Sequence, residues 1–257
     1  MNHDAFINHL TGIPSLDSIP AADIPARFSS NTTTAPASAA VAGQGVIGFV
    51  EGMSQQARED VLDSFTYATL AADKRYDLVT ENGEWYRTFR GAMTRALNWT
   101  AQDVSYTSYS SREQVLTMDK VGLKLIANSL SAAAAGIGAG ALMLQIAEQA
   151  VEALKTKDEP LRLFDSRTTK PNGARFLVGG CRESQDGVIV LSVGAVEART
   201  ALSVGNVLFF NWNSVSIDLH QSADIFVFNQ SLYAQRRQQV RNALSSAADA
   251  AFEEFPI

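Results

Sequence analysis

The spacing of apolar positions divides the chain into a helical middle and a strand-rich second half. Val61, Phe65, Ala68 and Ala72 recur at helical intervals with polar residues between them, which predicts a helix over about 54–78. Asn82-Gly83 interrupts the pattern. Trp85, Phe89, Ala92, Met93 and Ala96 then share a face, predicting a second helix over about 84–100. Gln102 to Ser110 is polar and reads as a loop. Ser110-Ser111-Arg112-Glu113 has the spacing of a capping box, where hydroxyl and carboxylate each accept from a backbone N–H at a helix start. A third helical region follows over about 112–156, and Lys155 to Pro160 reads as its stop.

From about 174 the pattern is that of strands. Ala174 to Cys181, Val188 to Val196, Val204 to Trp212 and Ile225 to Phe228 are short apolar runs, and Asp186-Gly187 is a turn signal. Val215, Ile217 and Leu219 alternate with Ser216, Asp218 and His220, as in a strand with one wet face. Val240, Leu244, Ala248, Ala251 and Phe252 predict a last helix over about 231–253. Helices grouped ahead of strands specify an α+β fold with amphipathic helices wrapped around an antiparallel sheet. Pro14, Pro20, Pro25 and Pro36 break any long helix near the start, and Ser29 to Ala42 is rich in Ser, Thr, Asn, Ala and Pro. Residues 1–43 therefore read as a flexible or extended arm. Residues 44–257 read as a single domain, with helices over about 54–156, strands over about 174–229 and the C-terminal helix.

Composition qualifies this picture. The chain of 257 residues is 46% hydrophobic, but 37 residues are Ala, so the strongly apolar share is that of a globular core. Within residues 125–147 there is no charged side chain: the 23 residues comprise eight Leu, Ile or Met, eight Ala, three Gly and four Asn, Ser or Gln. Roughly 20 residues cross a bilayer core, so the length suffices, while the Ala, Gly and polar content makes insertion marginal. Three readings stay open: a helix buried in the soluble fold, a soluble helix able to enter a bilayer later, and a constitutive span. Gly136, Gly138 and Gly140 either form a close-packing face on one helix or break the region into a hairpin with arms near 112–135 and 141–156. Leu125 and Leu144 belong to the same membrane-active or hinge segment. Gly136-Ile137-Gly138-Ala139-Gly140-Ala141 spells G-x-G-x-x-A, but a dinucleotide site needs a strand before its glycines, and an Ala-rich helical run stands there.

Charge and reactive side chains exclude several functions. The net charge is −6, and the one dense basic spot is Arg236, Arg237 and Arg241, so nucleic acid is not an expected partner. His3, His9 and His220 are scattered, and neither a metal-ligand motif nor a nucleophile elbow occurs. No catalytic residue, metal or bound cofactor is expected, and the protein is expected not to be an enzyme. The one cysteine, Cys181, rules out an intrachain disulfide. It reads as a small buried strand residue, as an S-acylation site beside Gly179-Gly180, or as a nucleophile with distant partners. Met1 to Leu10 lacks the basic and apolar regions of a secretory signal peptide. Synthesis in the cytoplasm is expected, with release through lysis or a dedicated route.

The order of elements over about 45–245 resembles that of the Cyt delta-endotoxins and the Erwinia virulence factor (Evf) proteins. Phe228-Asn229-Gln230-Ser231-Leu232-Tyr233 is similar to a short run near the C-terminal end of Cyt toxins. The resemblance implies a membrane-acting virulence factor or toxin whose partners are host-membrane lipids. On the Cyt side it implies helices peeling from the sheet and lipid-assisted assembly into a homo-oligomer and pore, with residues 1–43 as a removable arm. On the Evf side it implies a covalent palmitate on a cysteine, here Cys181, and action in an insect gut. This chain departs from the Cyt pattern in its abundant Ala and in the Gly residues of its strands near 174–196. The competing expectation is a non-enzymatic protein–protein interaction module with a buried Ala/Gly-rich helical hairpin.

Overall fold

A computed structural model describes residues 27–29, 37–76, 83–101, 107–108, 115–132, 140–170, 173–184, 186–199, 208–213 and 218–254. At its centre, three long strands run antiparallel over their full lengths: β8 (Gly173–Glu183), β9 (Ile189–Arg199) and β11 (Asp218–Phe228). The sheet extends from them in both directions, in the order β1-β2-β3-β8-β9-β11-β4. Here β1 is Arg27–Ser29, β2 is Ser38–Ala42, β3 is Gly45–Phe49 and β4 is Trp99–Ala101. Short strands β5 (Thr107–Ser108) and β7 (Thr169–Lys170) pair with β11 and β8, and β6 (Val115–Leu116) pairs with β10 (Trp212–Asn213) away from the main sheet.

Side chains alternate between the two faces, and each face meets its own helices. On one face Ile47, Phe49, Leu177, Cys181, Leu191, Val193, Phe226 and Phe228 form a core with α1 (Gln55–Asp73), α2 (Glu84–Gly91), a π-helical turn (Ala92–Ala96) and α6 (Gln230–Glu254). Phe89 anchors it, its ring centroid 5.3 Å from Phe65 and 6.1 Å from Phe226, both edge-on; such pairs add about 0.5–1.5 kcal/mol beyond burial. On the other face Val46, Phe176, Val178, Val190, Val196 and Ile225 meet α3 (Met118–Ala132), α4 (Gly140–Lys155) and α5 (Asp158–Thr168). The result is the expected α+β domain with helices on both faces of the sheet.

Several elements differ from the sequence reading. The sheet is mixed, because β3 pairs parallel with β8. The last residues of the arm expected to be flexible or extended are extended but built into the sheet: Ser38–Ala42 is a strand whose Ala39, Ala40, Val41 and Ala42 are buried. Small Ala side chains suit a strand covered on both faces, and Gly43, at φ 51, turns it into β3. The expected stop at Lys155–Pro160 does end α4, whose last residue is Lys155, but another helix, α5, begins at once, and Pro160 is tolerated in its first turn because first-turn N–H groups have no helical acceptor. The second helix gives way to the π-helical turn after Gly91, and Trp99 and Thr100 belong to β4. Leu208 to Phe210, expected in a strand, forms a turn and bend. The strand signal at Leu219 and the run at Ile225 belong to one strand, continuous through Gln221-Ser222-Ala223-Asp224. The capping box at 110–113 lies outside the described residues.

Candidate functional site

The uncharged segment spans two helices, α3 and α4, which lie where the hairpin reading places its arms. Gly136 and Gly138 fall outside the described residues. Gly140 opens α4, and a Cβ there would lie 3.4 Å from Leu130 Cβ, an ordinary contact between the helices. Leu125, Ile126 and Leu130 of α3 and Met143, Ile146 and Ala147 of α4 are buried on the sheet. Leu144 is half-buried, and Leu142 is 43% exposed.

The helices reach the sheet through glycines. A Cβ at Gly48 of β3 would overlap the carbonyl oxygen of Ile146, and one at Gly180 of β8 would overlap that of Met143. A Cβ at Gly194 of β9 would lie 2.7 Å from the carbonyl oxygen of Gly122, on α3. Gly48 and Gly180 are register partners, so the strands form a trough into which the helix backbones settle. No ion pair between described residues ties α3 or α4 to another element. A polar contact on this face joins Ser129 Oγ and Ser192 Oγ at 3.3 Å. Among the described residues, no helix is long and apolar enough to cross a membrane.

Cys181 lies in β8 and is fully buried on the opposite face, between β3 and β9. Burial pushes its thiol well above the usual range, and Glu183 pushes it further in the same direction. A neutral, enclosed thiol is a poor nucleophile. Of the neighbouring glycines, Gly180 faces the other side of the sheet, where α4 fills the space, and Gly179 faces Cys181's own side, where a Cβ would lie 3.4 Å from Leu191 and 3.7 Å from Ile47. A cleft of about 370 Å³ runs between α4 and β2, with Ala37, Ser38, Ala39, Ile146, Ala150 and Ala153 among its walls. Cys181 is not one of them.

Buried polar groups carry the features that sequence reasoning missed. Arg175, in β8, donates from Nε to Glu197 at 3.2 Å and stacks on Trp85, whose Nε1 donates to Asp73 at 2.7 Å. Asp224 is fully buried and accepts from Tyr86 Oη at 2.9 Å and Arg90 Nε at 3.3 Å. For Arg175 the available signal was a charge inside the apolar run Ala174–Cys181, which predicts a partner because an unpaired buried charge is prohibitive; Asp224, just outside the run Ile225–Phe228, carried no such signal. His220 meets Ser108 across the β5–β11 ladder at 3.4 Å through Nε2, with Asp218 at 3.7 Å from Nδ1. The Asp218 side chain is 60% exposed and Ser108 is exposed, so the trio lacks the desolvated surroundings that strengthen a hydrolytic triad. His3 and His9 lie outside the described residues, among which no group of three metal-ligating side chains occurs. Of the basic spot, Arg237 and Arg241 pair with α1, whereas Arg236 donates to Gln239 on its own helix.

No protein-family model matches the chain, and no curated protein matches it. Among solved structures, that of the Evf virulence factor is similar at 10% identity and a TM-score of 0.32, over 96% of this chain and 90% of the other. A likeness that slight carries no argument about function.

Proposed function

We propose that the protein is a membrane-associating factor whose α3–α4 hairpin is its lipid-facing element. The observation that supports this reading is how the hairpin is held. Its inward face is apolar, and the uncharged segment runs from Leu125 to Ala147. It rests on glycine backbone, with no ion pair between described residues to break when it leaves. Exchanging the sheet for lipid replaces one apolar contact with another and leaves no charge stranded. Leu142, exposed near the start of α4, offers a first point of insertion. Acylation of Cys181 by palmitate is a separate step and requires the core around β8 to open first; the intact mass of protein from its native host reads it directly. One chain alone gives marginal membrane binding, so the hairpin would supply the second contact.

The close burial of Leu125, Leu130, Met143 and Ile146 favours a second reading, an interaction module whose hairpin stays in place. Vesicle flotation with anionic and neutral compositions, alongside dye release, separates the two. Membrane association predicts that vesicles bind the protein and expose α3–α4 amides to exchange. Absence of binding across these compositions overturns it and leaves the interaction module.

A further inference from the structure

A cluster on the other face of the molecule, apart from the hairpin, joins α6 to α1. Arg237 grips Asp60 with two hydrogen bonds, Nε to Oδ1 and Nη2 to Oδ2, each 2.6 Å. One turn further along α6, Arg241 reaches two carboxylates, donating from Nε to Asp63 at 3.2 Å and from Nη2 to Glu59 at 3.1 Å. Asp60 and Asp63 are almost fully buried at 1% and 2% exposure. Three carboxylates thus face two guanidiniums, and on α1 Asp63 stands three and four residues from Asp60 and Glu59, spacings at which like charges repel. Around this cluster α6 is held by the buried Tyr233, Val240, Ala243 and Leu244.

We propose that this cluster is a proton-gated clamp, which holds α6 tightly on α1 when one carboxylate is protonated and loosens when all three are charged. Asp63 is the gating group. The charged or titratable groups that face it are Arg241, Arg237 and Tyr233 from α6 and Glu59 and Asp60 from α1. Burial pushes its carboxyl up from 3.8 to about 6; Arg241 opposes the shift, while Asp60 and Glu59 reinforce it. Tyr233 is pushed upward by burial and stays neutral throughout this range.

The sign follows from linkage. The docked state binds the Asp63 proton more tightly than a state with α6 released and Asp63 in water. Docking therefore strengthens as pH falls below about 6, levels off near the ordinary value of 3.8, and is weakest above 6. Between about pH 5 and 7.5 the docking equilibrium changes by roughly tenfold.

Hydrogen exchange on the full chain, corrected for intrinsic rates, tests the clamp. Protection of the Val240, Ala243 and Leu244 amides is expected to fall roughly tenfold from pH 5 to 7.5, flattening above about 6, while β8 and β9 amides hold steady. Asp63→Asn is expected to abolish the pH response. Arg241→Gln, which removes the opposing cation, is expected to move upward the pH at which protection begins to rise. Flat wild-type protection, a pH response that survives in D63N, or an unmoved onset in R241Q overturns the proposal.

Discussion

At the scale of single residues, two kinds of position set this molecule apart: glycines that replace side chains where backbones meet, and charges enclosed in the core. Gly180 is the sharpest of the first kind, because a methyl group there overlaps the Met143 carbonyl oxygen. Backbone on both sides leaves nothing flexible to yield, so α4 must rise or β8 must bend. Gly180→Ala is expected to destabilise the fold by about 1–3 kcal/mol, read as a lower urea midpoint with an unchanged slope. An unchanged midpoint would show that the trough has slack. The glycines were visible in the sequence, but their purpose was not. Gly179-Gly180 looked like an opening toward Cys181, but alternation along β8 turns Gly180 to the opposite face, and Gly179, on the same face, packs beside Leu191 and Ile47. Buried charges followed the same pattern: Arg175 stands within the apolar run Ala174–Cys181 and Asp224 just ahead of Ile225–Phe228, but their partners Glu197 and Tyr86 lie far off in sequence.

At the scale of elements, local signals worked where a single chemistry decided the outcome. The apolar face of α1 gave a helix over about 54–78, against the observed Gln55–Asp73. Its start is fixed by Ser54, whose Oγ accepts from the Ala57 N–H at 3.3 Å. Ser54→Ala is expected to cost about 0.5–2 kcal/mol, lowering the thermal midpoint by a few degrees without altering the far-ultraviolet spectrum of the folded protein. Equal midpoints would mean that water or Glu183, whose Oε2 accepts from the Ser54 N–H, caps the helix as well. Local signals failed where tertiary pairing overruled them. Gln221-Ser222-Ala223-Asp224 has little strand preference, yet β9 pairs along all of it and Asp224 finds its donors. The stop expected at Lys155–Pro160 does end α4 at Lys155, but that Pro160 itself sits in the first turn of a further helix depended on where α5 began.

At the scale of the whole molecule, the sequence correctly implied helices packed on a sheet but gave no sign of the parallel joint between β3 and β8. Nothing in Val46, Ile47 or Phe49 distinguishes a parallel partner from an antiparallel one. That joint has a consequence for the order of assembly. A chain emerging from the ribosome makes β3 early, while its partner β8 follows more than a hundred residues later. Until then the β2–β3 ribbon has a bare apolar edge, and α1 has only a fraction of the surface it will cover. A fragment ending at residue 170 is therefore expected to aggregate or stay unfolded by light scattering and circular dichroism, and a cooperatively folding fragment would contradict this. Such a chain needs shelter during synthesis: its N-terminal ribbon waits, sticky and unpaired, for the last third of the protein to arrive.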